Sequence, residues 1–120
     1  VSGAAKLENS LLVTGFPYDP LGKLDEWLEV FKKFTGKCHG VRRLGSAAVD
    51  LAYVACGRVD AFYEYNLNAW DVAAGAFIVQ QAGGSVTDFS GGAGFIETRS
   101  LLASNGIIEE EMLEVIREYF

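Results

Sequence analysis

Residues 57–84 have the sequence GRVDAFYEYNLNAWDVAAGAFIVQQAGG, and the organisation of the whole chain follows from this stretch. Its first part, Ala61–Tyr65, is short and rich in aromatic residues, as is typical of a β-strand. Residues 70–82 are apolar on nearly every side, which predicts a buried α-helix, and the glycine pair at 83–84 ends it. The stretch therefore predicts a strand, a short loop and a helix.

Strands and helices also alternate on both sides of this stretch. Before it, the hydrophobic pattern predicts a strand at 11–16, a helix at 25–34, a weaker strand at 37–44 and a helix at 47–56. After it, the pattern predicts strands at 85–89 and 100–104, turns at 90–94 and 105–106, and an amphipathic helix at 107–120. This alternation favours an α/β fold in which helices form layers around a mostly parallel sheet.

Composition and charge limit the partners of the chain. It has 120 residues, 50% of them hydrophobic, which is enough for a single domain with its own core. The net charge of −6 argues against a nucleic acid or an anionic membrane as partner, and against a phosphorylated ligand held without a bridging cation. There are two cysteines, no leader-like segment and no apolar run long enough to span a bilayer. We therefore expect free thiols and a cytoplasmic protein.

Two carboxylates flank the loop between the strand and the helix of the central stretch. Glu64 lies near the carboxyl end of the strand, which is where α/β sheets bind their ligands, and Asp71 lies at the start of the helix. Asp71 has two interpretations, a helix-capping acid or a ligand of Mg²⁺, and Mg²⁺ would need further oxygen ligands. Glu64 is either a solvated residue at a strand end or an acceptor for a substrate hydroxyl.

The segment Gly45–Ser46–Ala47 begins the predicted helix at 47–56 and also has two interpretations. It is either an ordinary helix start capped by Ser46, or a place where free N–H groups bind an anion or a hydroxyl. Gly45 and Ala47 carry little side chain, so a ligand can approach their backbone. Arg42 and Arg43 precede the segment, and one of them is expected to be an ordinary surface residue.

The lone histidine and the tryptophans carry weaker signals. His39 has no serine or cysteine nucleophile motif to pair with, so a catalytic role is not expected, and neither is a zinc site. Trp27, Trp70 and the phenylalanines are expected to fill the core rather than to stack on a ligand.

Several of these residues belong to motifs that resemble the inositol monophosphatase family. Residues 70–84 contain W-D-x-A-A-G-x-x-I-V-x-x-A-G-G, which is similar to the C-terminal signature of that family. Residues 42–48 (R-x-x-G-S-A-A), 60–64 (DAFYE) and 88–92 (D-x-x-G-G) fall where the family has similar segments. The resemblance covers nearly the whole chain.

The resemblance implies Mg²⁺-dependent hydrolysis of a small phosphate monoester, such as an inositol monophosphate, with inhibition by Li⁺. It also implies a layered α/β sandwich that is often a homodimer at full length. By the same resemblance, Asp71 is a Mg²⁺ ligand beside the substrate, Gly45, Ser46 and Ala47 line the substrate site with backbone groups, and Glu64 accepts a substrate hydroxyl.

The chain departs from the family pattern in one large respect. Family members carry an N-terminal half with a glutamate pair and a D-P-x-D-G-T motif, which supply further metal ligands and the group that activates water. Residues 19–22 (DPLG) lack the second aspartate and the threonine of that motif. We therefore expect residues 1–120 to be one domain that corresponds to the C-terminal half, with the catalytic residues elsewhere and little activity alone. The alternative is a non-catalytic module that binds a sugar phosphate or a partner protein.

Overall fold

A computed structural model of the chain describes residues 1–17 and 22–120 and places one five-stranded sheet between two layers of helices. The strands are β1 (Leu11–Thr14), β2 (Gly40–Arg42), β3 (Ala61–Tyr65), β4 (Ser85–Thr87) and β5 (Ser100–Ser104), in the spatial order β2-β1-β3-β5-β4. The helices are α1 (Leu24–Lys37), α2 (Ala47–Ala55), α3 (Ala69–Gln81), the short α4 (Phe95–Thr98) and α5 (Glu109–Arg117).

The predicted α/β class is confirmed, and the sheet is mixed. β1 pairs in parallel with β2 and with β3, whereas β5 pairs antiparallel with both β3 and β4. Four of these strands thus run in one direction and β5 runs against them. The connection from β4 to β5 holds only the four-residue α4, which is too short to serve as the crossover helix that a parallel pair needs.

Alternate residues of each strand face opposite layers, as the two-residue period of a strand requires. Leu12 of β1 and Tyr63 of β3 pack in the core beneath α1 and α5. Their neighbours Val13 and Phe62 pack in a second core beneath α2 and α3. The sheet is therefore covered on both faces, and its two cores are separate clusters.

The elements differ from the sequence-based prediction mainly at their ends. The bounds of β3 and β5 are confirmed, α2 ends one residue before its predicted end, and α3 begins and ends one residue earlier than predicted. The predicted helix end at residue 34 is wrong, because α1 continues to Lys37 and the Cys38 N–H still bonds the Phe34 carbonyl at 3.0 Å. The predicted strand at 37–44 is accordingly reduced to β2.

The remaining elements are shorter than predicted or were not predicted. The shorter elements are β1, β4 and α5, and the additional ones are α4 and a 3₁₀ turn at Leu7–Asn9. The comparison of residues 19–22 with the D-P-x-D-G-T motif concerns positions that lie, except for Gly22, outside the described residues.

The prediction that both tryptophans fill the core is half right. Trp27 is fully buried, but Trp70 is 83% exposed. On the same side of α3, Phe77 and Ile78 are exposed as well. The helix predicted to be buried all round is thus buried on its sheet side only, because no residue in the described part of the chain covers its outer side.

Two smaller observations complete the description. Cys38 and Cys56 are free thiols, as expected from the sequence. Within residues 1–17 and 22–120, no helix combines the length and the apolar character needed to cross a membrane.

Candidate functional site

The five residues predicted to bind a ligand, Gly45, Ser46, Ala47, Glu64 and Asp71, all line one cavity of about 490 Å³. The cavity lies where β1 and β3 end and where α2 and α3 begin. Strand carboxyl ends and helix amino ends meet at this edge because each strand leads through a short loop into a helix. This arrangement brings residues that are spread over 27 positions of the sequence to one wall of the cavity.

The start of α2 presents backbone donors to this cavity. Ser46 is confirmed as the N-cap, since its Oγ accepts from the Val49 N–H at 3.3 Å. The N–H groups of the first helical turn have no acceptor within the helix, and Ala47 and Ala48 lie there. Gly45 has φ +95°, a conformation that glycine adopts without strain. The capping and the ligand-binding interpretations of this segment are therefore compatible.

Asp71 combines its two interpretations in a similar way. It is the third residue of α3, and its Oδ2 accepts from the Asn68 N–H at 3.1 Å. The residue also lines the cavity. Because a carboxylate has two oxygens with several lone pairs, this capping bond leaves capacity for a ligand on the cavity side.

Glu64 packs directly against the backbone of the loop that follows β1. A Cβ atom at Gly15 would overlap Glu64 Oε1, so the glycine leaves room for the carboxyl group in this position. Burial is the main cause that raises the pKa of Glu64 to about 7; the nearby charges of Asp50 and Asp71 act in the same direction and Arg43 opposes them. The Glu64 carboxyl group therefore changes its protonation near neutral pH.

Asp50 is a cavity residue that the sequence-based prediction missed. It lies in the first turn of α2, is 1% exposed and lines the cavity. Its Oδ1 is buried without a hydrogen-bond partner among the described residues. Burial raises the pKa of Asp50 to about 6, with Arg43 acting in the opposite direction. A signal was present, because Asp50 is the single charged residue in the apolar run at 47–56.

The arginine pair divides as expected. Arg43 lines the cavity, whereas the Arg42 guanidinium is exposed and donates to the neighbouring Val41 carbonyl at 3.2 Å. His39 is exposed and does not line the cavity.

A second missed residue, Arg99, lies behind the cavity. Its Nε donates to the Leu67 carbonyl at 3.0 Å and its Nη2 donates to Asn68 Oδ1 at 2.9 Å. Both acceptors belong to the loop between β3 and α3. No local sequence pattern could have revealed these bonds, because the partners are separated by 32 and 31 positions.

The donor atoms of the cavity match a hard divalent cation in kind but not in number. Carboxylate oxygens are the side-chain ligands that Mg²⁺ prefers, and Asp50, Glu64 and Asp71 line the wall. Within the described ranges, however, no three or more His, Cys, Asp or Glu side chains are arranged to hold a metal. Such an ion would thus take only part of its ligands from these residues.

The sequence was compared with known proteins. It matches the model of the inositol monophosphatase family over residues 1–120. It is 46% identical to the Nus factor SuhB of Pseudomonas aeruginosa over 99% of this chain and 45% of that protein. It is 40% identical to an inositol-1-monophosphatase of Mesorhizobium japonicum over 98% of this chain and 44% of that protein.

A solved structure of an inositol monophosphatase from Anabaena (Nostoc) superposes with a TM-score of 0.93 at 42% identity, over 100% of this chain and 49% of that one. The 120 residues thus span somewhat less than half the length of each of these proteins.

Proposed function

This chain belongs to the inositol monophosphatase family, and we propose that it forms one wall of a Mg²⁺-dependent site that hydrolyses a small phosphate monoester. The observation that carries the proposal is the convergence of Gly45–Ala47, Glu64 and Asp71 on a single cavity. We further propose that residues 1–120 act as the C-terminal subdomain of a longer polypeptide, which would be a homodimer.

In this proposal each residue has a defined task. The Asp71 carboxylate holds the cation, and its bond from the Asn68 N–H fixes the direction of the carboxylate. The first-turn N–H groups of α2 bind the substrate at Gly45–Ala47. Glu64, held against Gly15, accepts a substrate hydroxyl and thereby orients the leaving group.

The charge of the cavity explains why a cation is needed. Three carboxylates and one arginine line it, so a phosphate ester by itself would be repelled. A bound divalent cation supplies attraction for the phosphate, an activated water and stabilisation of the leaving oxygen. The residues that would complete its coordination lie outside this chain in the proposal, and so do the catalytic residues.

The proposal predicts that the 120-residue chain alone has little or no phosphatase activity. The test measures Mg²⁺-dependent release of phosphate from inositol 1-phosphate, with the isolated chain and with a longer polypeptide that contains it. We expect turnover only in the longer polypeptide, together with inhibition by Li⁺. Turnover by the isolated chain at the rate of a complete family member would refute the division of the site between two halves.

A non-catalytic binding module is the second candidate. It is favoured by the exposed Trp70, Phe77 and Ile78 on α3, and by the name Nus factor that a close relative carries. The length of the natural product discriminates between the two candidates. A longer protein with a D-P-x-D-G-T motif upstream favours the enzyme, and a 120-residue product favours a module that binds a sugar phosphate or a protein.

A further inference from the structure

Arg99 adopts a backbone conformation that an arginine rarely adopts. It follows α4 with φ 60° and ψ 18°, in the left-handed region that glycine occupies freely. A long side chain gains nothing locally from this conformation. A strained non-glycine residue persists where surrounding contacts hold it, and such residues cluster at functional sites.

The contacts that hold Arg99 all lead to the loop between β3 and α3. Besides the two bonds from its guanidinium to Leu67 and Asn68, the Arg99 carbonyl accepts from the Leu67 N–H at 3.0 Å. Arg99 is thus joined to two consecutive loop residues by three hydrogen bonds. The residue that precedes them, Asn66, is also left-handed, with φ 69°.

This loop determines where the two ligand-binding carboxylates stand relative to each other. Glu64 precedes it and Asp71 follows it. Asn68, whose side chain accepts from Arg99, donates its own N–H to Asp71 Oδ2. Hydrogen bonds therefore run from Arg99 through Asn68 to one oxygen of Asp71. Arg99 itself does not line the cavity, so its guanidinium acts from behind the loop.

We propose that Arg99 is a positioning residue that fixes the loop at 66–68 and thereby aims the Asp71 carboxylate at a divalent cation. This inference rests on the proposed function, because it takes Asp71 to be a cation ligand. The left-handed conformation of Arg99 follows from this role, because it lets the backbone carbonyl and the guanidinium of the same residue both reach the loop.

Two substitutions separate positioning from general stabilisation. Arg99→Gly removes the guanidinium and also the backbone strain, so thermal stability should change little. Arg99→Lys keeps the charge and the strain but cannot make the forked pair of bonds. Arg58→Gly removes an exposed arginine whose guanidinium lies over Tyr53, and it controls for the loss of charge.

The first measurement is hydrogen exchange of the Asn68 amide by NMR in the 120-residue chain. In Arg99→Gly and Arg99→Lys we expect protection of this amide to fall about tenfold or more, and in Arg58→Gly we expect none of this change. Unchanged protection of the Asn68 amide in Arg99→Gly would overturn the inference.

The second measurement is binding of Mn²⁺ alone to the longer polypeptide, because the described residues of this chain supply only part of the ligands; it is followed by paramagnetic broadening of amides near Asp71. We expect the dissociation constant to rise roughly 10-fold in Arg99→Gly, as is usual when a residue that orients a metal ligand is lost. A loss of thermal stability with unchanged Mn²⁺ affinity also overturns the inference, because it indicates a structural brace only.

Asp71→Asn tells this inference apart from the proposed function. If Asp71→Asn in the longer polypeptide binds Mn²⁺ as well as the unaltered polypeptide does, or if neither binds it, the assignment of Asp71 as a cation ligand fails. If Asp71→Asn weakens binding and Arg99→Gly does not, the assignment stands and the positioning role of Arg99 fails.

Discussion

The two helical layers cover opposite faces of one sheet, but their outer sides differ. On α1 and α5 the outer side is mainly charged, and its exposed residues include Glu29, Lys32 and Glu114. On α2 and α3 the outer side is mainly apolar, and its exposed residues include Val49 and Phe77. Each layer buries its sheet-facing side in a core of its own.

This difference coincides with the position of the candidate site. A helix with a polar outer side buries all its apolar surface once it packs on a sheet. A helix that is apolar all round needs a second protein surface to bury its outer side. The candidate site opens at the amino ends of α2 and α3. The layer whose outer side is uncovered is therefore also the layer that supplies only part of the cation ligands.

The largest effect is expected when a carboxylate near the start of α3 is neutralised and the result is compared with the same change near the start of α5. In a longer polypeptide with phosphatase activity, Asp71→Asn in α3 should lower turnover roughly 100-fold or more, because it removes a charge that acts on the reacting groups. Stability should hardly change, since asparagine still accepts from the Asn68 N–H.

Glu110→Gln at the start of α5 is the matched control and should leave turnover unchanged. Phosphate release at saturating Mg²⁺ is the measurement. Full activity of Asp71→Asn under these conditions would leave Asp71 with its capping role alone.

The second prediction compares a glycine in each layer. A Cβ at Gly75 of α3 would lie 2.6 Å from Leu51 Cδ1 of α2, so Gly75→Ala should lower the free energy of unfolding by about 1–3 kcal/mol. A Cβ at Gly36 of α1 meets nothing within 4 Å, so Gly36→Ala should raise it by roughly 0.5–1 kcal/mol. Urea denaturation measures both changes, and equal effects would contradict the close packing of α2 on α3.

The third prediction concerns the pH dependence of stability. The pKa of Glu64 rises from 4.5 to about 7 on folding and that of Asp50 from 3.8 to about 6, and both face the α2–α3 side. At a pH between the unfolded and the folded pKa of each acid, the unfolded chain has released a proton that the folded chain retains. The free energy of unfolding should therefore fall as pH rises from about 4 to 7.

Glu64→Gln should remove about 1–2 kcal/mol of this fall, mostly above pH 4.5. Asp50→Asn should remove a further part at lower pH. Glu29→Gln on the outer side of α1 controls for the change in net charge. Urea denaturation across a pH series is the measurement, and a wild-type profile that is flat from pH 4 to 7 would contradict the environment described for the two acids.

The smallest effect is expected at the outer surfaces. An exposed apolar face promotes association, so Phe77→Glu on α3 should reduce self-association of the 120-residue chain. Leu28→Glu on the outer side of α1 should not reduce it. Each change should alter stability by less than about 0.5 kcal/mol. Sedimentation velocity at increasing concentration is the measurement, and an equal response of the two variants would remove the distinction between the outer sides.

Local signals predicted much of the fold. Aromatic and apolar runs predicted β3 and β5 to the residue, and Ser46 was recognised as the N-cap of α2. Helix ends were less predictable, since α1 extends three residues past its predicted end at 34. The five candidate site residues were singled out by their positions at strand and helix ends, but the family resemblance supplied their roles, since the spacing of Glu64 and Asp71 alone left these open.

Apart from Asp50, the parts of the site that were missed depend on contacts between distant residues. Gly15 makes room for Glu64, 49 positions later, and Arg99 bonds Asn68, 31 positions earlier. The periodicity of a sequence describes neighbours along one element, so it contains no information about such pairs.

The sequence by itself determined the α/β alternation, the starts of α2 and α3, and the family signature, because these depend on residues close together in the chain. Only the tertiary structure decided that β5 runs against its neighbours, that Trp70 is exposed, and that Asp50 and Glu64 have raised pKa values. The physical reason is that burial, desolvation and strand direction are set by what packs against a residue.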